Sequence, residues 1–209
     1  MRRGTAITIL SGLIFFTACN DPAADTTKAR TGDAAQVASP ATAQGQRYHI
    51  TPQNSKIEFI GSKVTGKHNG SFGDFSGHVD YAGSPENSRV TITIKSDSIT
   101  TDTPDLTKHL KTADFFDVAK FPEATFVSTA IKPGGENGAS HTVTGNLTLH
   151  GVTKAVTFPA TINVTADAAT VESSFSINRK DFGINYAGAA DNLIRDNVVL
   201  ALHVRATRS

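Results

Sequence analysis

The segment HTVTGNLTLHGVTKAVTFPATINV, residues 141–164, holds two alternating runs on either side of a turn residue, Gly151. In the first, Val143, Leu147 and Leu149 alternate with Thr142, Thr144, Asn146 and Thr148. In the second, Val156, Phe158, Ala160, Ile162 and Val164 alternate with Thr157, Thr161 and Asn163. Period-two alternation means strands with one dry and one wet face. The pattern spreads outward from there. Val90, Ile92 and Ile94 face away from Thr91, Thr93 and Lys95; Phe175 and Ile177 face away from Ser174 and Ser176; Val198, Leu200, Leu202 and Val204 face away from Val199, Ala201, His203 and Arg205. Weaker strands are expected at 56–64, 75–81 and 124–131, with turn-forming residues at 83–87 and 133–138.

Only one helical stretch is visible, 104–116, with Pro104 suited to a first turn and Thr103 or Asp102 as cap. One short helix cannot cover about eight strands, so the sheet must cover itself as a barrel or a sandwich. Alternation does not separate these. Gly61, Gly77 and Gly145 inside strand-like runs favour a coiled sheet with lumen volume left open, against a solid core with glycine at bulges. An eight-stranded barrel is about the size that holds one small ligand.

The chain has 209 residues, 38% of them apolar, a net charge of +1 and one cysteine. That charge argues against a nucleic-acid partner, which needs a basic face. Residues 1–18 read as a signal peptide, with Arg2 and Arg3 before an apolar run at 5–16 that is too short to span a bilayer. Phe16-Thr17-Ala18-Cys19 resembles a lipobox, which makes Cys19 a lipidation site and the mature N-terminus. Residues 19–46, almost without large apolar side chains, read as a flexible tether, and 47–209 as the folded domain. The expected location is the bacterial cell envelope, lipid-anchored, facing the periplasm or the outer surface.

Motifs for catalysis are missing: no nucleophile elbow, no phosphate loop, no zinc-protease helix, and seven scattered histidines. The expectation is no enzyme activity and no cofactor. Three segments remain. Residues 63–70 form a polar, glycine-flanked stretch that either holds an anionic head group or is a solvated hairpin. Arg179 and Asp181 either pair with each other or read a polar ligand. Residues 109–122, rich in phenylalanine, form either a lid over an apolar cavity or a plug at one barrel end. Val199 and Ala201 on the nominal wet face raise a homodimer.

Several motifs appear in order: YHITPQNSKIEF at 48–59, GDFSG at 73–77, LKTADFFD at 110–117, FPEATF at 121–126, VTGNLTLHGVTK at 143–154 and NRKDFG at 178–183. Together they resemble the YceI-like family of bacterial lipocalin-like, lipid-binding proteins. The resemblance implies an all-β fold, an eight-stranded antiparallel barrel with a short helical segment. It also implies a long apolar lumen for a polyisoprenoid or an isoprenoid quinone. By the same likeness Phe59, Phe75, Phe115, Phe116, Phe126 and Phe182 line the lumen or its mouth, and His150, Arg179 and Asp181 occupy polar motif positions. Lys63, Lys67, His68 and Arg179 are the head-group candidates. The alternative is an envelope β-module with a filled core, for protein interaction or stress response.

Overall fold

The computed structural model describes residues 21–37 and 46–208, and strands dominate them. In chain order these are β1 (Arg30–Asp33), β2 (Gln46–Ile50), β3 (Lys56–Lys63), β4 (Gly66–Phe72), β5 (Phe75–Tyr81), β6 (Arg89–Lys95), β7 (Ile99–Thr101), β8 (Glu123–Pro133), β9 (His141–Leu149), β10 (Val152–Val164), β11 (Ala168–Asn178), β12 (Gly188–Ala189), β13 (Asn192–Leu193) and β14 (Asn197–Thr207). The helix α1 covers Pro104–Leu110. It is shorter than expected, because the Thr112 hydroxyl takes the His109 carbonyl and the chain turns away. Residues 63–70 form a hairpin, one of the two alternatives: Val64 and Thr65 are its tip, and Gly66–Phe72 is a strand paired with β3. Its inward face carries His68, Gly70 and Phe72, so the apolar alternation that betrays a strand is missing.

β2 and β3 are two halves of one stave, as are β4 and β5, and β6 and β7. β2 pairs β5 and β3 pairs β4; β5 pairs β6 and β4 pairs β7. The path continues through β8, β9, β10, β11 and β14, and β14 returns to β3 and β2. This is a closed eight-stranded antiparallel barrel in which neighbours in space are neighbours in sequence. Local hairpins explain how the alternating segments find each other. His150 and Gly151, at φ 50° and 74°, sit between paired Leu149 and Val152, the signature of a tight hairpin turn.

The β10–β11 ladder runs only from Thr161–Glu172 to Val164–Ala169. Pro159 stops it. Its carbonyl faces β11 and takes the Ser173 hydroxyl at 2.6 Å, and on that same side the proline has no N–H to give. The seam so opened is filled from outside the barrel by the N-terminal segment. Thr27 and Ala29 exchange backbone hydrogen bonds with Ser176 of β11, and β1 pairs residues 154–157 of β10. Ala29 is buried with Val156, Phe158, Phe175 and Ile177. Residues 21–37 are therefore a docked strap and not the flexible tether expected of them. Cys19, the signal peptide and residues 38–45 lie outside the described residues. Val199, expected on the wet face, is buried at 4% exposure.

Candidate functional site

The barrel encloses a cavity of about 420 Å³, within the size range of small-molecule pockets. Its walls are the inward halves of the alternating strands, including Ile92, Leu147, Val171, Leu200 and Leu202. At one end Tyr48 is fully buried beside Ile50, Val79, Ala169 and Val204. Its hydroxyl lies 2.8 Å from Gln46 Oε1 and 3.1 Å from the Thr165 carbonyl, so that end is shut without stranding a polar group. Phe126, Phe158 and Phe175 form an aromatic row midway. Phe158 and Phe175 stack at 4.1 Å and 11°, opposite each other where the β10–β11 ladder has given out.

Aromatic rings explain two glycines. A Cβ on Gly70 would stand 2.2 Å from the Phe59 ring, and one on Gly145 would stand 2.3 Å from the Phe126 ring. Each glycine lets a ring from the next strand lie flat on the wall. Gly145 thus yields its space to a side chain, a Cβ on Gly77 would stand 2.4 Å from the Thr91 carbonyl, and of the three glycines expected to leave lumen volume only Gly61 faces open space.

The other end is the mouth. It is built by the β3–β4 hairpin, α1 and the segment after it, and the loop from β11 to β14 that carries the β12–β13 ribbon. Phe115 contacts Tyr186 at 5.2 Å and His109 at 5.1 Å, and Phe72 bridges Phe59 and Phe116 at 5.8 and 5.9 Å. Residues 109–116 both cap this end and line the cavity, uniting the lid and plug alternatives.

Of the residues singled out from the sequence, Phe59, Lys63, His68, Phe115, Phe116, Phe126 and Arg179 are in the cavity wall. Five are not. Lys67 is exposed on the outer face of β4. Phe75 and Phe182 are buried in the core clusters beside the cavity. His150 is a turn residue, its ring 4.6 Å from Phe121 and its Nδ1 3.3 Å from the Phe182 carbonyl. Asp181 faces outward and accepts a hydrogen bond from Thr31 of the strap at 2.7 Å. It does not pair with Arg179, because the chain leaves its strand at Asn178, whose side chain accepts the Lys180 N–H and starts a 3-10 turn.

Arg179 is 5% exposed and holds the mouth loop together. It donates to the carbonyls of Ile184 at 2.6 Å, Arg195 at 3.2 Å and Ile194 at 3.4 Å, with Asp196 at 3.5 Å. Burial lowers its pKa from the ordinary arginine value, opposed by Asp196. Across the mouth His68 Nδ1 lies 2.9 Å from Asp102 Oδ1, and that contact, with the Asn69 N–H, holds the Asp102 carboxyl below its usual range. Wall residues not foreseen are Ser62, Phe72, Leu106, Ile184, Tyr186, Asn192 and Ile194. Most lie in 183–196, which has no periodicity; the one signal there is the apolar residues in an otherwise polar stretch. The Ser62 hydroxyl is buried without a hydrogen-bond partner.

Known proteins carry the same barrel. The crystal structure of BcnA from Burkholderia cenocepacia superposes with a TM-score of 0.67 at 26% identity, covering 76% of this chain and 99% of that one. A polyisoprenoid binding domain from Saccharophagus degradans gives 0.63 at 17% identity, covering 79% and 100%. A UPF0312 protein of Pseudomonas putida (strain GB-1) is 41% identical over 132 residues, 60% of this chain and 68% of that protein. The family model for the YceI-like domain matches residues 48–206, nearly the whole barrel, and the chain belongs to the YceI-like family.

Proposed function

We propose that the barrel is a carrier that binds one long apolar lipid, an isoprenoid chain with a weakly polar head such as a quinone, and shields it from water. The observation that carries this reading is the cavity, apolar along its length, shut at Tyr48 and opening among aromatic side chains. Burying an apolar tail there is worth roughly 25 cal/mol per Å² before association costs. The filled core of the alternative module is not what these walls form. The Saccharophagus domain, named for polyisoprenoid binding, supports the reading by fold.

The polar groups argue for a weakly charged head. Arg179 is engaged by three carbonyls and Asp196, which leaves it no free fork for a diphosphate. Ser62 offers an unpartnered hydroxyl in the wall, suited to a carbonyl or hydroxyl on the ligand. We place this carrier in the cell envelope on a lipid anchor at Cys19, with no catalytic step and no cofactor.

The test is native mass spectrometry of the full chain purified from a bacterium that processes lipoproteins. A solvent-extractable adduct identified as an isoprenoid quinone is the expected result, and Val143→Trp, which fills the lumen, loses it while the barrel still unfolds cooperatively. A chain that emerges empty and takes up neither an isoprenoid quinone nor a polyprenyl phosphate removes the reading. Uptake of the phosphate alone keeps the carrier and overturns the weakly polar head.

A further inference from the structure

The mouth has an apolar rim. Val64, Tyr186 and Leu193 are exposed at 54%, 37% and 50%, and among the described residues Val37 is the one other large apolar side chain so exposed. They come from two segments that are fastened together. The Val64 N–H donates to the Leu193 carbonyl at 3.2 Å, and the Thr65 hydroxyl donates to Asn192 Oδ1 at 2.8 Å. A two-residue hairpin tip ordinarily carries Asn, Asp or Gly, whereas Val64 and Thr65 occupy this one. Lys63 and Lys67 flank it, and neither belongs to an ion pair among the described residues. Single exposed apolar residues are ordinary; several around one opening, flanked by unpaired cations, suit an anionic lipid surface.

The N-terminal strap ends at the same place. Arg195 follows the wall residue Ile194, and its Nη1 lies 3.2 Å from the Asp21 carboxylate. Upstream of Asp21 the sequence carries an apolar run followed by the lipobox-like Phe16-Thr17-Ala18-Cys19. One residue, Asn20, separates Cys19 from Asp21, and the two steps of chain reach at most about 7 Å. A lipid anchor at Cys19 would be joined to the Asp21–Arg195 contact by a short run of chain and not by a long leash.

We infer that the rim of Val64, Tyr186 and Leu193 docks on the anionic surface of a bilayer, and that the strap holds the barrel mouth-down on it. The inference rests on the carrier reading for its purpose, since an isoprenoid would then pass between bilayer and lumen without crossing water. The docking is tested separately. The full chain is matured in a lipoprotein-processing bacterium and reconstituted into phosphatidylethanolamine–phosphatidylglycerol vesicles. An acylated Cys19 has no free thiol, so Val64→Cys, Leu193→Cys and, at the shut end, Asp167→Cys each accept one environment-sensitive fluorophore. Brominated lipid is expected to quench positions 64 and 193 several-fold more than 167, and Arg195→Ala to narrow that difference.

Equal quenching at all three, or none, overturns the docking. Shielding at 64 and 193 without quenching, in a chain that elutes as a dimer, replaces the bilayer with a second copy and overturns it too. So does a mature chain with no acyl group on Cys19. An unchanged pattern in Arg195→Ala overturns the role of the strap. Native mass spectra of the same preparations report the lumen independently: quenching at the rim of a chain that carries no lipid supports the docking and removes the carrier reading.

Discussion

A guanidinium at 5% exposure has been taken out of water almost completely, and its cost is offset only by the carbonyls and the carboxylate it meets. Arg179→Met keeps the bulk and removes the donors, leaving the Ile184, Ile194 and Arg195 carbonyls without their partner. We expect a loss of about 2–4 kcal/mol in chemical denaturation, with the mouth loop exchanging its amide protons first. Lysine should not rescue it, since one ammonium cannot reach three divergent acceptors. Arg179 was legible as a significant residue, but its role was not. Two residues apart on a strand means one face, and Asn178 ends the strand just before that rule would apply. His150 shows the same gap between motif and geometry. Its left-handed φ and its contact with Phe121 make it a corner, and corners are written by backbone conformation, which a residue name specifies weakly.

Among the elements, the alternating strands could be read from the sequence because packing repeats at every second side chain. The strap could not. It joins the sheet through backbone groups and needs from its sequence little more than the small Ala29, which is buried in the same cluster as Phe158 and Phe175. Ala29→Glu puts a charge in that buried seam. The expected outcome is faster hydrogen exchange at Ala155, Thr157 and Ser176, with the Thr161–Val164 end of β10 still protected. A second element-scale prediction concerns acid. Asp102 fastens β4 to the chain leading into α1, and its pKa is depressed, first by the hydrogen bond to His68. A carboxyl with a lowered folded pKa stabilises above its unfolded value, near 3.9, and that contribution is lost as pH falls through the folded value. Below about pH 4 the Asn69 amide, a donor to Asp102, should lose protection in exchange experiments while the shut end keeps it.

At the scale of the molecule, self-coverage followed from a shortage of cover: many half-dry strands and one short helix leave a sheet no partner but itself, as a barrel or a sandwich, and the family resemblance decided for the barrel. The volume inside did not follow, because it depends on which side chains meet across the lumen. Gly145, read as empty space, is the seat of a phenylalanine ring, as is Gly70. The seam between β10 and β11 has one more consequence, in the order of synthesis. Thr31 is made 150 residues before Asp181, its partner across the seam. The strap leaves the ribosome first and can dock only when β11 exists, so every newly made chain passes through a stage in which β2 to β10 are available and this flank is still unsealed. Contacts of such sequence separation carry the largest closure entropy and form late. The interval in which the lumen is most open thus falls at the birth of the protein, before the strap has a place to go.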